Sequence, residues 1–365
     1  MAGLPERIPE TKRVKIHTGY ACDLRCKFCY YYDYPQSRNP STEKLKSFLD
    51  FSVKCGMEDI DFSGGEPIIR KDFPELLRHA KKLGFKRICV ITNGQRMVDK
   101  DFTKSLAEAG LNEVLFSLHG FDRKSHEFLT QVPGSYSKLM KAISNIRKLG
   151  VRFRTNTTVN KINYRHMETF AKMFLKLRPA AVNFILFNPY YSSPRQEVEM
   201  AAKFSEAAPE IKKAVDILNP EIKKVTVRYI PFCFMLGYEK HVCNSWQFKY
   251  DCDEWLPRVQ GRVEEVSAKK YYMYAVIDAI ARPATSLIPP LKSQMNNFID
   301  RAIVGNFVSN YYTQLAACKN CAYRIICEGL KKGYEKHFGS IELKTIKGEL
   351  IEDPMHFRGN YGNYG

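Results

Sequence analysis

Short runs rich in β-branched and aromatic residues alternate with amphipathic helical stretches along the first half of the chain. Apolar residues at helical spacing, such as Leu139, Met140, Ile143, Ile146 and Leu149, predict helices between these runs. The runs themselves predict strands, and they are Val14–Thr18, Asp59–Ser63, Arg87–Thr92, Glu113–Leu118, Arg152–Val159 and Ala181–Phe187. Six strands joined by five helices predict an α/β fold with a parallel sheet, either an open doubly wound sheet or a partial barrel.

The pattern changes after Pro189. Residues 195–218 predict a helix, Val225–Pro231 predicts a strand that leads into Cys233, and residues 245–300 are less regular. This change predicts a second, smaller α+β domain after the sheet. We therefore expect four parts: a lead-in over residues 1–10, a sheet or barrel domain over 11–190, the smaller domain over 191–350 and a flexible tail over 351–365.

Composition narrows the class of protein. The 365 residues carry 57 Lys plus Arg against 39 Asp plus Glu, and 44% of them are hydrophobic, which is typical of a globular protein of about two domains. No apolar run approaches the ~18 residues of a membrane span, and the N-terminus lacks the apolar segment of a secretory signal. We therefore expect a cytoplasmic protein with no membrane partner.

The net charge of +18 indicates an anionic partner. The basic residues are spread along the chain, with denser patches at 211–228 and 331–347, and a solvated face accounts for much of the excess. An excess of Lys and Arg over Asp and Glu is by itself a poor signal of nucleic-acid binding, so we do not expect a nucleic-acid partner.

Eleven cysteines give the first sharp indication of chemistry. An odd number in a chain without a secretory signal argues against a disulfide framework and favours metal-binding or catalytic thiols. Cys55 and Cys89 stand alone in apolar segments, where small buried side chains are expected. The others fall into three groups: Cys22, Cys26 and Cys29; Cys233, Cys243 and Cys252; and Cys318, Cys321 and Cys327.

Unusual residues lie in the last part of the predicted strands or directly after them, near the carboxyl ends where βα folds collect their chemistry. They are Cys22–Cys29, Gly64–Pro67, Thr92–Gly94, Ser117–Gly120, Asn156–Thr158 and Asn188–Pro189. Three thiols crowd the first of these loops, and no fourth Cys or His follows within twenty residues. A structural zinc site needs four ligands, whereas three thiolates on a cubane cluster leave one iron without a protein ligand. A zinc site completed by a distant ligand is the alternative.

The Cys-x3-Cys-x2-Cys spacing, with an aromatic residue before its last cysteine, and the Gly-Gly-Glu-Pro segment resemble the two motifs of the radical S-adenosylmethionine (radical SAM) superfamily. The resemblance covers roughly residues 11–190 and implies a partial (β/α)6 TIM-like barrel. It implies a 4Fe–4S cluster whose unique iron is chelated by the amino and carboxylate groups of SAM, with the ligands Cys22, Cys26 and Cys29. The cofactor contacts that it implies are Phe28 at the adenine, Gly64, Gly65 and Glu66 at the methionine amino group, and Ser117 and Asn156 at the ribose or carboxylate.

The segment after the fourth strand departs from the family pattern. Many relatives that modify peptides carry Ser-x-Asp-Gly there, where this chain has Ser-Leu-His-Gly from residue 117, and Thr130 replaces a common Arg. The residue that contacts the SAM carboxylate is therefore unassigned, and the candidates are Arg152 and Arg154. His119 has three interpretations: a ribose contact, a general acid or base, or a structural histidine.

The C-terminal cysteines resemble part of the SPASM domain of radical SAM enzymes, which binds one or two auxiliary 4Fe–4S clusters. The chain has six cysteines after residue 190, fewer than the full pattern. We therefore predict one auxiliary cluster, with the ligands Cys233, Cys318, Cys321 and Cys327. A zinc ion on the same four cysteines is the other interpretation. Alternative ligands, or ligands of a second and incomplete cluster, are Cys243 and Cys252.

The resemblance implies a radical SAM enzyme, in which a flavodoxin- or ferredoxin-type donor reduces the cluster and SAM is cleaved to a 5′-deoxyadenosyl radical. The radical abstracts a hydrogen atom from the substrate, which we expect to be a peptide or protein because auxiliary-cluster enzymes point to that class. About ten residues precede the first strand, so no winged-helix leader-binding segment is expected. The residues that act on the substrate are left unassigned. The alternatives are a tetrapyrrole enzyme similar to the heme-synthesis branch and a non-catalytic iron–sulfur or zinc scaffold.

Overall fold

The computed structural model describes residues 10–31, 34–37, 39–189, 198–259 and 301–359. Its main feature is a curled seven-stranded sheet in which all strands run parallel and neighbour each other in chain order. The strands are β1 (Arg13–His17), β2 (Asp59–Ser63), β3 (Arg87–Thr92), β4 (Glu113–Ser117), β5 (Arg152–Val159), β6 (Ala181–Leu186) and β7 (Val225–Arg228). The six predicted strands form within one residue of their predicted bounds, and the prediction of a partial α/β barrel is confirmed.

Amphipathic helices connect successive strands and bury their apolar stripes against the sheet. In the second helix, for example, Leu76, Leu77 and Ala80 are fully buried. None of the helices within the described ranges combines the length and apolarity that crossing a bilayer requires. The connecting helices are α1 (Thr42–Lys54), α2 (Phe73–Lys82), α3 (Lys100–Ala109), α4 (Arg123–Thr130), α5 (Ser135–Lys148), α6 (Met167–Leu177) and α7 (Phe204–Leu218).

The sheet continues beyond Pro189, where the residue pattern predicts a change of domain. β7 pairs in parallel with β6 along Val225–Arg228. The helix predicted over residues 195–218 is observed as α7, which begins at Phe204 and packs against α6. Residues 190–197 lie outside the described part of the chain. The connection from β6 to β7 is therefore a long βα unit, and its length accounts for the change in the sequence pattern.

Residues 242–256, which we call the closing segment, run between the two edges of the sheet. On the β7 edge, Val242 forms a parallel bridge with Val227. On the β1 edge, the amide of Leu256 donates to the carbonyl oxygen of Arg13 at 2.9 Å. Because edge strands present unpaired amide and carbonyl groups, these bonds stabilise both edges of the sheet.

A set of buried charges fills the inside of the half-barrel toward the amino ends of the strands. We call it the lumen network, and its members are Arg13, Asp61, Glu113, Arg154 and Asp253. Arg13 pairs with Asp61 and lies 2.9 Å from one carboxylate oxygen of Glu113. Arg154 lies 2.7 Å from the other oxygen of Glu113. Burial opposes the ionisation of Asp61, but the neighbouring guanidinium groups outweigh it and hold the pKa of that carboxyl below its usual value.

The C-terminal part adds small elements after the sheet. Residues 301–311 are helical. Arg358, in the predicted flexible tail, is buried and lies 2.5 Å from the carboxylate of Asp251, so residues up to 359 are anchored. Residues 1–9 and 360–365 lie outside the described ranges. The remaining elements are α8 (Ser245–Phe248), the antiparallel pair β8 (Tyr312–Thr313) and β9 (Leu330–Lys331), and α9 (Lys332–Phe338).

Candidate active site

A cavity of about 300 Å³ opens at the carboxyl ends of the strands; we call it the main cavity. The residues of the loops after β1 and β2 meet there with the ends of β4 and β5. The structure thus brings together all the positions that the motif resemblance assigns to the cluster and SAM, which are Cys22, Cys26, Cys29, Phe28, Gly64, Gly65, Glu66, Ser117 and Asn156. Their roles in binding stay predictions.

The three-cysteine loop is held by backbone hydrogen bonds to the end of α4. The amide of Arg25 donates to the carbonyl oxygen of Thr130 at 3.0 Å. The amide of Lys27 donates to the carbonyl oxygen of Leu129 at 3.0 Å. Burial, and then the proximity of the other two thiols, raise the pKa of Cys26 well above its usual value. Three clustered soft donors fit a 4Fe–4S cluster with one iron left for another ligand.

The Gly-Gly-Glu turn after β2 lies directly against the backbone of the cysteine loop. The amide of Gly65 donates to the carbonyl oxygen of Gly19 at 2.8 Å. The amide of Glu66 donates to the carbonyl oxygen of Ala21 at 2.7 Å. A Cβ atom on Gly65 would lie 2.5 Å from the carbonyl oxygen of Tyr20 and closer still to that of Ala21. Glycine is therefore required at this position by close backbone approach.

We expect Gly65→Ala to push the turn away from the cysteine loop and to weaken SAM binding at least about tenfold, which corresponds to about 1.4 kcal/mol of binding free energy. Equilibrium dialysis of SAM against the anaerobically reconstituted protein measures this loss. Gly84→Ala is the control, because Gly84 has a left-handed backbone (φ 85°) but no described atom within 4 Å of its added Cβ. Equal SAM affinities in the two variants would contradict the close fit.

Glu66 is buried beneath this turn and accepts three hydrogen bonds. Its donors are the hydroxyl of Thr92 at 2.7 Å, the amide of Asn93 at 2.7 Å and the amide of Ile68 at 3.3 Å. Burial raises the pKa of Glu66 to about 8, although these hydrogen bonds oppose the shift. A carboxylate has about four lone-pair positions, so the three donors leave one position for a ligand donor such as an ammonium group.

Ser117, the last residue of β4, lies beside Asn156 of β5, and the sheet register pairs the two. Both line the main cavity. The Oδ1 atom of Asn156 is buried and has no hydrogen-bond partner among the described residues. Because a buried polar atom without a partner costs about 1–3 kcal/mol, this atom favours a bound ligand that offers a donor.

His119 lines the same cavity and is in contact with Phe28, with ring centroids 4.7 Å apart in an edge-to-face arrangement. Its Nδ1 atom accepts the amide hydrogen of Thr158 at 3.1 Å, so the neutral ring carries its proton on Nε2. Burial, together with His126, lowers the pKa of His119 to about 3. A ring that stays neutral acts as a hydrogen-bond donor, which favours the ribose-contact or structural interpretation over a general acid or base.

Arg152 and Arg154, the candidates for the SAM carboxylate, do not reach the main cavity. Both guanidinium groups pair with Glu113 toward the amino ends of the strands, and Arg154 is fully buried. Neither is among the described residues that line the main cavity. The interpretation of these arginines as carboxylate contacts is therefore corrected, because their positions in β5 face the lumen network.

The C-terminal cysteines converge on a second cavity of about 20 Å³, which we call the small cavity. Burial raises the pKa of the Cys233 thiol, and the proximity of two further thiols adds to the shift. Four soft donors around one space suit either a 4Fe–4S cluster or a zinc ion. The cysteines that line it are the four predicted to hold one auxiliary cluster, Cys233, Cys318, Cys321 and Cys327.

Cys243 and Cys252 lie elsewhere, in the closing segment. The Sγ atom of Cys243 is 3.7 Å from the carboxylate of Asp251. The Sγ atom of Cys252 is 3.9 Å from the ammonium group of Lys224. Neither is among the described residues that line the small cavity. The structure therefore separates these two cysteines from the other four.

Another part of the main-cavity wall contains residues that no motif indicates. One of them had a signal in the sequence, because the period-two alternation of β1 places Lys15 on the same face as Arg13. The others come from the end of β7, the closing segment and β9, where short or irregular elements give no such signal. The residues of this part of the wall are Lys15, Arg228, Tyr229, Trp255 and Lys331.

Residues 16–174 match the family model of the Radical SAM superfamily. An AdoMet-dependent heme synthase from Oleidesulfovibrio alaskensis is 28% identical over 188 residues, which are 51% of this chain and 48% of that protein. An Fe-coproporphyrin III synthase from Methanosarcina barkeri is 34% identical over 146 residues, which are 40% of this chain and 36% of that protein. The chain therefore spans half or less of the length of these relatives.

Two solved structures share the fold. SuiB from Streptococcus suis, bound to S-adenosylmethionine, has a TM-score of 0.52 at 18% identity, and the match covers 60% of this chain and 50% of SuiB. Methylornithine synthase (PylB) has a TM-score of 0.50 at 16% identity, covering 66% of this chain and 72% of that protein. At these identities the likeness is one of fold, and it agrees with the partial barrel described above.

Proposed function

The chain is a member of the radical SAM superfamily, whose enzymes use a 4Fe–4S cluster and SAM, and from this premise we propose that it cleaves SAM reductively and removes a hydrogen atom from a substrate. The observation that supports the proposal most directly is the main cavity, where the three-cysteine loop and the Gly-Gly-Glu turn meet. When bound, the reduced cluster supplies the electron that splits the S–C5′ bond of SAM.

The residues of the main cavity have separate roles in this proposal. The side chain of Glu66 accepts a hydrogen bond from the methionine ammonium group at its remaining lone-pair position. The Oδ1 atom of Asn156 accepts a hydrogen bond from a ribose hydroxyl, and the Nε2 hydrogen of His119 is donated to a ribose oxygen. Phe28 packs against the adenine, and Ser117 lies beside Asn156. The cluster ligands are Cys22, Cys26 and Cys29.

Apolar side chains complete the site. Ile91, Leu115 and Ile185 line the main cavity from β3, β4 and β6. They keep bulk water away from the place where SAM and substrate meet, which limits side reactions of the species formed there. A fixed position of the substrate C–H bond against C5′ then decides which hydrogen atom is removed.

Reduction by dithionite tests the proposed function. We expect the anaerobically reconstituted protein to convert SAM into 5′-deoxyadenosine and methionine, which liquid chromatography with mass spectrometry detects. We also expect SAM to change the electron paramagnetic resonance spectrum of the reduced cluster. Fully iron-loaded protein that neither cleaves SAM nor changes its spectrum when SAM is added would contradict the proposal.

We propose that residues 191–350 include a SPASM-like region that holds an auxiliary 4Fe–4S cluster. The small cavity supports this, because it places four thiols around one space. Cys321 and Cys327 are two of these ligands, and burial raises the pKa of Cys327 to about 12. Metal binding to such thiols requires their deprotonation, as it does in other iron–sulfur and zinc sites.

The double variant Cys318→Ala/Cys321→Ala is expected to bind about four fewer iron atoms per chain, because two remaining thiols cannot hold a cubane cluster. Iron and acid-labile sulfide are measured after anaerobic reconstitution. The matched control is Cys243→Ala/Cys252→Ala, which removes two cysteines of the closing segment and should leave the iron content unchanged. Unchanged iron in the first variant, with stoichiometric zinc in the unsubstituted protein, would show a zinc site instead.

We propose a peptide or protein as the substrate, on the resemblance of the C-terminal cysteines to the SPASM pattern. The second candidate is a tetrapyrrole, which is favoured by the similarity to proteins named heme synthase and Fe-coproporphyrin III synthase. An acidic peptide and Fe-coproporphyrin III, added separately, test the two, because the correct class accelerates 5′-deoxyadenosine formation.

A flavodoxin- or ferredoxin-type donor and a cytoplasmic location belong to the same proposal, since the thiols and clusters need reducing conditions.

A further inference from the structure

We propose that the main cavity binds an anionic group of the substrate, a carboxylate or a phosphate, at a cationic wall formed by Lys15, Arg228 and Lys331. These side chains come from β1, β7 and β9 and line the same cavity. None of them belongs to the motifs assigned to the cluster or SAM. The inference rests on the proposed function only in taking the main cavity as the place where the substrate binds.

Trp255 holds two of these cations in place. Its indole Nε1 donates to the carboxylate of Asp61 at 2.8 Å, which ties the ring to the lumen network. The ammonium group of Lys15 lies 3.4 Å from the ring centroid, and the guanidinium carbon of Arg228 lies 5.6 Å from it. Cations over an aromatic face are attracted by the ring quadrupole, so both charges are positioned before any ligand arrives.

Arg228 has unused donor capacity. It is only 3% exposed and pairs with Glu254, which is also buried. Its Nε atom is buried and has no hydrogen-bond partner among the described residues. A guanidinium group carries five N–H donors in a fixed fork that matches the oxygens of carboxylates and phosphates. An oxyanion in the cavity would satisfy the donor that Glu254 leaves over.

Lys331 is buried beside two aromatic rings. Its ammonium group lies 5.2 Å from the ring centroid of Tyr229 and 5.9 Å from that of Tyr312. Burial lowers the pKa of Lys331 to about 7, although Glu328 opposes the shift, and a bound anion would favour the charged form further. Tyr229 has a left-handed backbone (φ 60°), an uncommon conformation for a non-glycine residue that is often found at binding sites.

The lining of the main cavity is mainly basic. Of the described residues that line it, Glu66 is the acidic one, and it lies on the Gly-Gly-Glu turn with three hydrogen bonds of its own. Glu254, which pairs with Arg228, is not among these lining residues. The wall therefore presents basic side chains to the cavity, and an anionic ligand there would form charge-assisted hydrogen bonds with them.

The SAM carboxylate is the competing occupant of this wall. It is also an oxyanion, and Arg152 and Arg154 do not reach the main cavity. The two possibilities can be distinguished by measurement. If the wall binds a substrate anion, a small anion binds to the protein together with SAM. If the wall binds the SAM carboxylate, a small anion competes with SAM. Binding must therefore be measured with SAM already present.

Titration calorimetry with small anions tests the inference. The probes are succinate and inorganic phosphate, each titrated into the full-length, anaerobically reconstituted protein saturated with SAM, and succinamide is the neutral counterpart of succinate. We expect at least one anion to bind about tenfold or more tightly than succinamide, because charge-assisted hydrogen bonds are the stronger ones. A preference for succinate points to a carboxylate on the substrate, and a preference for phosphate points to a phosphate.

Substitutions at the cationic wall test whether the anion binds there. Lys15→Met and Lys331→Met should each weaken anion binding about tenfold, whereas Lys331→Arg, which keeps the charge, should retain most of the affinity. Lys104→Met is the matched control, because Lys104 is an exposed lysine outside both cavities. Circular dichroism and iron content confirm that each variant is folded and loaded, so that a loss of binding is not a loss of structure.

Three outcomes would overturn the inference: equal affinity for succinamide and the anions, unchanged anion affinity in both methionine variants, or anion binding that a parallel titration detects in the SAM-free protein but not in the SAM-saturated protein. The same preparations are assayed for 5′-deoxyadenosine after reduction. Anion binding without SAM cleavage would contradict the proposed function alone. SAM cleavage without anion binding would contradict the cationic wall alone.

Discussion

Cys26→Ala is expected to reduce 5′-deoxyadenosine formation to background. Cys26 is the central thiol of a loop that offers three, and two thiolates cannot hold a 4Fe–4S cluster whose remaining iron binds SAM. The loss should therefore appear at two levels, as about four fewer iron atoms per chain and as the absence of the spectral change on SAM addition. Product is measured by mass spectrometry after dithionite reduction, and iron by colorimetric assay on the same sample.

Cys55→Ala is the matched control for this prediction. Cys55 is a half-buried cysteine at the end of α1 that lines neither cavity. We expect this variant to keep both the iron content and SAM cleavage of the unsubstituted protein. If Cys26→Ala retained cleavage while Cys55→Ala lost it, the cluster would have to lie elsewhere and the cofactor assignment would be wrong.

The second large effect is on stability. Arg13→Met should lower the free energy of unfolding by about 3–5 kcal/mol, because removing one partner of a buried ion pair leaves uncompensated charge. Arg13 is fully buried and contacts Asp61 and Glu113, and its Nε donates to the carbonyl oxygen of Cys252 in the closing segment at 3.0 Å. Denaturant unfolding followed by circular dichroism measures the change.

The control for stability is again Lys104→Met, which removes an exposed ion pair with Glu108. Substitutions at such surface positions usually change stability by less than about 0.5 kcal/mol. Should Arg13→Met fail to fold, the soluble fraction on expression provides the second measurement, and it should be far below that of the control. Equal stability of the two variants would show that the lumen network contributes little to the fold.

The sequence alone determined the strands and the cofactor motif, because both signals are local. The alternation in β1 and the apolar runs of the later strands depend on residues within one element. The Cys-x3-Cys-x2-Cys loop and the Gly-Gly-Glu turn carry their chemistry in consecutive residues, and the parallel topology of βα units then requires them to meet at the carboxyl edge of the sheet. The grouping of Cys318, Cys321 and Cys327 is local in the same sense.

The tertiary structure alone decided which distant residues share a space. Arg154 was a candidate for the SAM carboxylate, but the register of β4 and β5 places it against Glu113. Trp255 meets Lys15 only because the closing segment crosses between the two sheet edges. Sequence spacing reports the neighbours of a residue within its own strand or helix. Buried ion pairs and cavity walls instead depend on strand register and on the path of the segment that closes the sheet, and these are settled by packing across the whole half-barrel.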